Sequence, residues 1–156
     1  MHGFIATGGA TAPAHDTIPN SGFWPDIATA DARDAMRLDG TVTDARLKHA
    51  LIEAMVSTNQ ELKAWRNGKE AVGFADLASV PAEQVNAESI QLHRYRRAVY
   101  CAAKASLAER YRDFDSTDSG NKKADQLDEQ PQQLRRDARW AIRDLLGTSR
   151  SSIELI

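Results

Sequence analysis

One cysteine, Cys101, stands in a chain of 156 residues, so no disulfide can form within it. It lies in "AVYCAAKA" and reads as a small buried apolar side chain, because no histidine is in evidence to activate the thiol. An excess of charge is missing too. Twenty Lys and Arg against 22 Asp and Glu leave a net charge of −2, which argues against a general nucleic-acid binder of the basic kind. No apolar run approaches the roughly 18 residues that a membrane span needs. The opening "MHGFIATGGA" has neither the basic start nor the apolar block of a secretory signal, so synthesis in the cytosol is expected. Strand-like alternation is absent before the last few residues, and no internal repeat is found.

What is present is the composition of a globular domain: 42% hydrophobic and 27% charged residues, with a mean hydropathy of −0.51. A chain of this size buries roughly two-thirds of its unfolded surface. Residues 1–25 lack periodicity and hold four glycines and three of the five prolines, yet Phe4, Ile5, Ile18, Phe23 and Trp24 are scattered among them. This is an extended arm with apolar anchors, which must lie on its own domain or on a neighbour.

Helices follow over 26–147, and the fold class is all-α: a small bundle of three main helices and one or two short ones. A short helix runs from about Thr29 to Arg37 and ends at "LDG". The next begins after Thr43, a partial N-cap because Arg46 stands where a capping box has Glu. Leu47, Leu51, Ala54, Met55, Leu62 and Trp65 form its apolar stripe, interrupted by Glu61, and Asn67–Gly68 marks its stop. Residues 69–86 read as a connection with one helical turn near "FADLA". A long helix then spans about Ala87–Asp113, with Ala102, Ala103 and Ala105 admitting a close neighbour. The stretch 113–130 is acidic, and the last helix starts at Pro131 and stops at Gly147. An extended tail, 148–156, ends unexpectedly on "SIELI".

The usual catalytic signatures fail on inspection. "GFIATGGA" has the spacing of a phosphate loop, but Gly9 and Ala10 replace the Lys and Ser/Thr that meet phosphate and Mg²⁺. His49 and Glu53 could share a metal ion, yet two ligands make no zinc site and an ordinary helix-surface pair is expected. No GxSxG elbow occurs, so no catalytic, cofactor or metal residue is assigned. The arginines carry more information. Arg94, Arg96, Arg97, Lys104, Arg110 and Arg112 exceed Glu88 and Glu109 on the long helix, and Arg135, Arg136, Arg139, Arg143 and Arg150 exceed Asp137 and Asp144 at the end of the chain. They either pair with the acidic stretch or face an acidic partner or DNA.

Four stretches and the carboxyl end, "FIATGGATAP", "MRLDGTVTDARLKHALIEA", "YRRAVYCAAKASLAERYRDFD" and "LRRDARWAIRDLLG" followed by "IELI", resemble in order the head completion proteins (protein L) of P2-like contractile-tailed phages. The resemblance runs from Phe4 to Ile156. It implies a structural virion protein without catalysis or cofactor, made in the bacterial host cytoplasm and residing in the head–tail neck. Such adaptors bind the portal protein after DNA packaging as a ring of about twelve copies. They extend the DNA channel, retain the genome and present a platform for a neck or tail-terminator protein. On that reading Ile153, Glu154, Leu155 and Ile156, with Arg150 before them, alternate as a strand that adds to an edge of the portal. Phe4, Ile5, Phe23 and Trp24 would anchor the arm on an adjacent subunit or the portal, and Arg135, Arg136, Arg139 and Arg143 would face channel DNA or an acidic partner. The alternative is a small DNA-binding protein that uses its Arg-rich helices.

Overall fold

The computed structural model describes residues 16–114 and 130–150, apart from the side chains of 111–114. Ser151 onward, Phe4 and Ile5, and the acidic stretch 115–129 therefore lie outside the described residues. The fold is all-α. Among the described residues it comprises α1 (Thr29–Ala35), α2 (Asp44–Glu61), α3 (Lys63–Ala71), α4 (Ile90–Phe114) and α5 (Pro131–Leu146), with one 3-10 turn at Leu77–Ser79. Two antiparallel ladders were not anticipated: β1 (Thr17–Ile18) pairs with β2 (Ile27–Ala28), and β3 (Gln84–Val85) with β4 (Glu88–Ser89). Strands of two residues are too short to show alternation. The second pair is closed by Asn86 and Ala87, both at positive φ (54° and 58°), the twist that a two-residue hairpin demands. That hairpin is why α4 starts at Ile90 and not at Ala87.

Helix α4 is the axis of the domain: α5 packs along it most extensively and α2 next. Ala98, Ala103, Ala105 and Ala108 are all buried, and such small side chains allow the close approach of a neighbouring helix. From α5, Leu134, Ala138, Ala141, Ile142 and Leu145 fill the opposing stripe. From α2, Leu47, Leu51, Ala54 and Met55 do the same, and Thr43 caps the helix as expected, its hydroxyl accepting from Arg46 N at 3.4 Å.

Where helices end departs from expectation once. Asn67 and Gly68 lie inside α3, and the chain breaks instead at Leu62, a residue with no exposed surface. A mid-helix glycine costs only about 1 kcal/mol relative to Ala, so "NG" is no barrier by itself. The true stop is Gly73, at φ 101°, where Phe74 N donates to Lys69 O (3.2 Å) and Gly73 N to Glu70 O (3.0 Å). This paired pattern satisfies the last carbonyls and needs a left-handed residue. Helix α1 ends the same way with Arg37 in the left-handed position, Leu38 N reaching Arg33 O at 3.0 Å.

The amino-terminal segment also departs from expectation. Phe23 and Trp24, expected to seat in a neighbour, are each only 3% exposed within their own domain. Trp24 stacks on Tyr95 of α4 (centroids 5.0 Å, planes 10° apart) and on Trp65 of α3 (6.4 Å, 18°), with Phe23 edge-on at 4.9 Å. Ile18 and Ile27 join the same core, so residues 16–28 belong to the bundle and not to a separate arm. The apolar residues were legible; the surface they cover was not.

A closed polar triangle locks this segment down. Asn20 Nδ2 donates to Tyr95 Oη (2.8 Å), Tyr95 Oη donates to Asn59 Oδ1 (2.6 Å), and Asn59 Nδ2 donates back to Asn20 Oδ1 (2.8 Å). Burial pushes the Tyr95 phenol up from 10.0 to about 12 against the opposing effect of the Asn20 hydrogen bond. A raised phenol favours the folded state below the ordinary value, and that contribution is lost as pH rises toward the folded one. Tyr95→Phe is therefore expected to lower stability by about 1–3 kcal/mol at neutral pH and to flatten the fall in stability between pH 10 and 12. Urea unfolding at several pH values reads both effects; identical curves for the two proteins would refute the triangle's role.

Candidate partner-binding surfaces

The end of α5 fixes where the tail begins. Gly147 takes φ 74°, Thr148 N donates to Arg143 O (3.0 Å) and Gly147 N to Asp144 O (3.2 Å). The turn brings Arg150 back over the helix, where its Nε donates to Asp144 Oδ1 at 2.8 Å and its Nη2 pairs with the second carboxylate oxygen. That hydrogen bonding holds the Asp144 carboxyl below its usual value, and Arg150, Arg94 and Arg97 add their positive potential. The Arg150 guanidinium also sits 5.4 Å from the Trp140 ring centre, and that of Arg136 sits at 4.6 Å, so one half-buried indole carries two cations.

Beyond this root, α5 presents Arg136, Arg139, Trp140 and Arg143 at positions i, i+3, i+4 and i+7, which share one helix face. All three arginines are exposed, and Arg139 meets no carboxylate among the described residues. Arg135, grouped with them in the sequence, turns elsewhere: its Nε donates to Glu109 Oε1 of α4 at 2.8 Å and its Nη2 pairs with Oε2. These bonds hold the Glu109 carboxyl below its usual value. The pair therefore contributes at neutral pH and fades as pH falls through the lowered value, though half-exposed pairs are worth less than about 1 kcal/mol.

Two arginines of α4 also meet carboxylates of the bundle. Arg96 meets Glu88 at 2.6 Å and Arg110 meets Glu53 at 3.2 Å. His49 pairs with Glu53 at 3.2 Å, as its helix spacing suggested. His93 Nε2 lies 3.0 Å from Val85 O. Cys101 is half-buried, not fully buried, on the wall of a groove of about 320 Å³ that Met36, Arg97, Tyr100, Lys104 and Leu134 also line. Among the described residues no three His, Cys, Asp or Glu gather as metal ligands would, and no helix is long and apolar enough to cross a membrane.

One surface went unnoticed in the sequence. On the solvent side of α2, Ile52 is 40% exposed and Val56 64% exposed. With Glu53, Gln60 and Glu61 they line a shallow groove of about 690 Å³. The signal was available: the pair repeats at i, i+4, one position beyond Leu51 and Met55, and forms a second apolar stripe that the bundle leaves open.

Comparison with known proteins gives this architecture a context. The family described as "Phage head completion protein (GPL)" matches residues 18–156. The chain is 44% identical over 146 residues to the "Head completion/stabilization protein" of Escherichia phage P2, covering 92% of this chain and 86% of that protein. It is 26% identical over 149 residues to the "Probable head completion/stabilization protein" of Haemophilus phage HP1, covering 95% and 98%. No solved structure is significantly similar to it. A family match over residues 18–156 and a relative this similar along nearly its whole length lead to one conclusion: the chain belongs to the phage head completion protein (GPL) family.

Proposed function

We propose that the protein completes the DNA-filled phage head by binding the portal vertex as a ring of copies after packaging. It extends the DNA channel there, retains the genome and offers the platform on which neck and tail components assemble. The observation that carries this reading is the 44% identity to the P2 head completion/stabilization protein across 92% of the chain. The fold is compatible with it: a helical bundle, in a chain whose last residues include the apolar Ile153, Leu155 and Ile156. In this reading Ile153 to Ile156 add as a strand to the portal protein, with Arg150 holding the base. Phe4 and Ile5 remain as the anchors of the amino-terminal arm, now that Phe23 and Trp24 are engaged in the core.

The direct test is a phage in which the gene for this chain is deleted. Its heads are expected to fill with DNA and then lose it, so that nuclease-protected genome per head falls and tails do not join. Supplying the chain in trans restores both. Deletion heads that keep a full-length genome and accept tails would overturn the proposal.

A further inference from the structure

The molecule has two solvent-facing helix surfaces of opposite character. One is on α2, where exposed Ile52 and Val56 are flanked by Glu53 and Glu61. The other is on α5, where Trp140 lies among Arg136, Arg139 and Arg143. Each is the solvent side of a helix whose other side packs on α4, and α2 and α5 make no principal contact with each other. The two faces thus belong to different sides of one bundle.

We infer that they are the two halves of a contact between copies: the α5 face of one molecule docks on the α2 face of the next. The chemistry matches on both counts. Trp140 supplies a large, rigid apolar ring already held in place by two guanidiniums, and Trp and Arg dominate interface energetics. The α2 groove supplies apolar side chains for the ring and carboxylates for the arginines. Glu61 meets no cation among the described residues, and Arg139 no carboxylate, so this pair gains a partner without giving one up. Because the two faces differ, the contact is head-to-tail. Each added copy leaves one face of each kind open, and the chain of copies closes into a ring when the rotation allows. DNA is the weaker occupant for the α5 face: Asp137 and Asp144 stand on the same helix as its arginines, on a molecule of net charge −2. The inference rests on the assembly reading above for the ring's place in the particle, but not for the contact itself.

The test uses thiol crosslinking in the full chain with Cys101→Ala, Val56→Cys and Gln132→Cys, an exposed position two turns before Arg139 on the same face of α5, both as concentrated protein and in assembled particles. A short bifunctional maleimide is expected to give a ladder of dimers, trimers and higher species. The two variants carrying a single introduced cysteine stop at monomer. Adding Glu61→Arg reduces the ladder by about tenfold or more, and adding Arg139→Glu to the same chain recovers it. Dimers from Val56→Cys alone would mean a symmetric contact and overturn the inference. So would crosslinking only to another particle protein, or loss of DNA binding as the sole effect of Arg139→Glu. In each of those cases the protein is still in the particle, so the assembly reading survives; its absence from particles would defeat that reading instead.

Discussion

Trp24→Ala is expected to lower the unfolding free energy by about 3–5 kcal/mol, a large share of the roughly 5–15 kcal/mol that an ordinary domain possesses. Trp24 is the middle ring of a stack whose outer members, Trp65 and Tyr95, come from α3 and α4. Removing it leaves a void between helices that other contacts hold apart, so the site cannot collapse to fill it. The same change uncouples the segment that carries Asn20, and with it the Tyr95–Asn59 hydrogen bonds. Trp24→Phe separates packing from polarity. The Trp24 indole N–H is buried without a partner among the described residues, so phenylalanine removes an uncompensated donor along with some area. It should cost clearly less than alanine. Urea unfolding followed by far-ultraviolet circular dichroism measures both, and a Trp24→Ala protein within about 1 kcal/mol of the parent would contradict this account.

The second large effect concerns function. A chain ended after Arg150 keeps the left-handed turn at Gly147 and the Arg150–Asp144 pair, so it is expected to remain helical and to melt where the full chain does. Infectious particles should nevertheless be abolished, because Ile153, Leu155 and Ile156 are the side chains with which the proposed portal contact is made. Each tail alone gains little after its ordering is counted; linked copies in a ring raise the effective concentration of every further tail. Complementation by the truncated chain, with titre and DNA content as readouts, decides the matter. A normal yield of filled, tailed particles would remove the tail from the mechanism.

Much of the fold could be read from the residues because its signals are local. Pro131, the stripe Leu134–Ala138–Ala141–Ile142–Leu145 and Gly147 define α5 at both ends and on its buried face. Asn67–Gly68 misled because two glycines within a few residues compete as helix stops, and local sequence does not say which adopts the left-handed conformation. The fate of Phe23 and Trp24 was illegible for a different reason. Their partners, Trp65 and Tyr95, are distant in sequence, and an apolar anchor looks the same whether it covers its own domain or another. The arginines show the limit of counting charges. Arg135 and Arg136 are adjacent, yet one is turned to Glu109 across the bundle and the other lies over Trp140, because successive helical residues point about 100° apart. On α2, attention to the stripe that builds the core concealed the narrower one, Ile52 and Val56, beside it.

The clamp of Arg150 between Asp144 and Trp140 has a metric consequence. A peptide leaving a fixed point can reach no farther than its contour, and the six residues from Ser151 to Ile156 extend about 20 Å at most. On the proposed reading, the surface that takes Ile156 lies within that radius of Arg150. In the proposed portal contact the segment would act as a ruler, and a surface a full domain's width away would lie out of its reach.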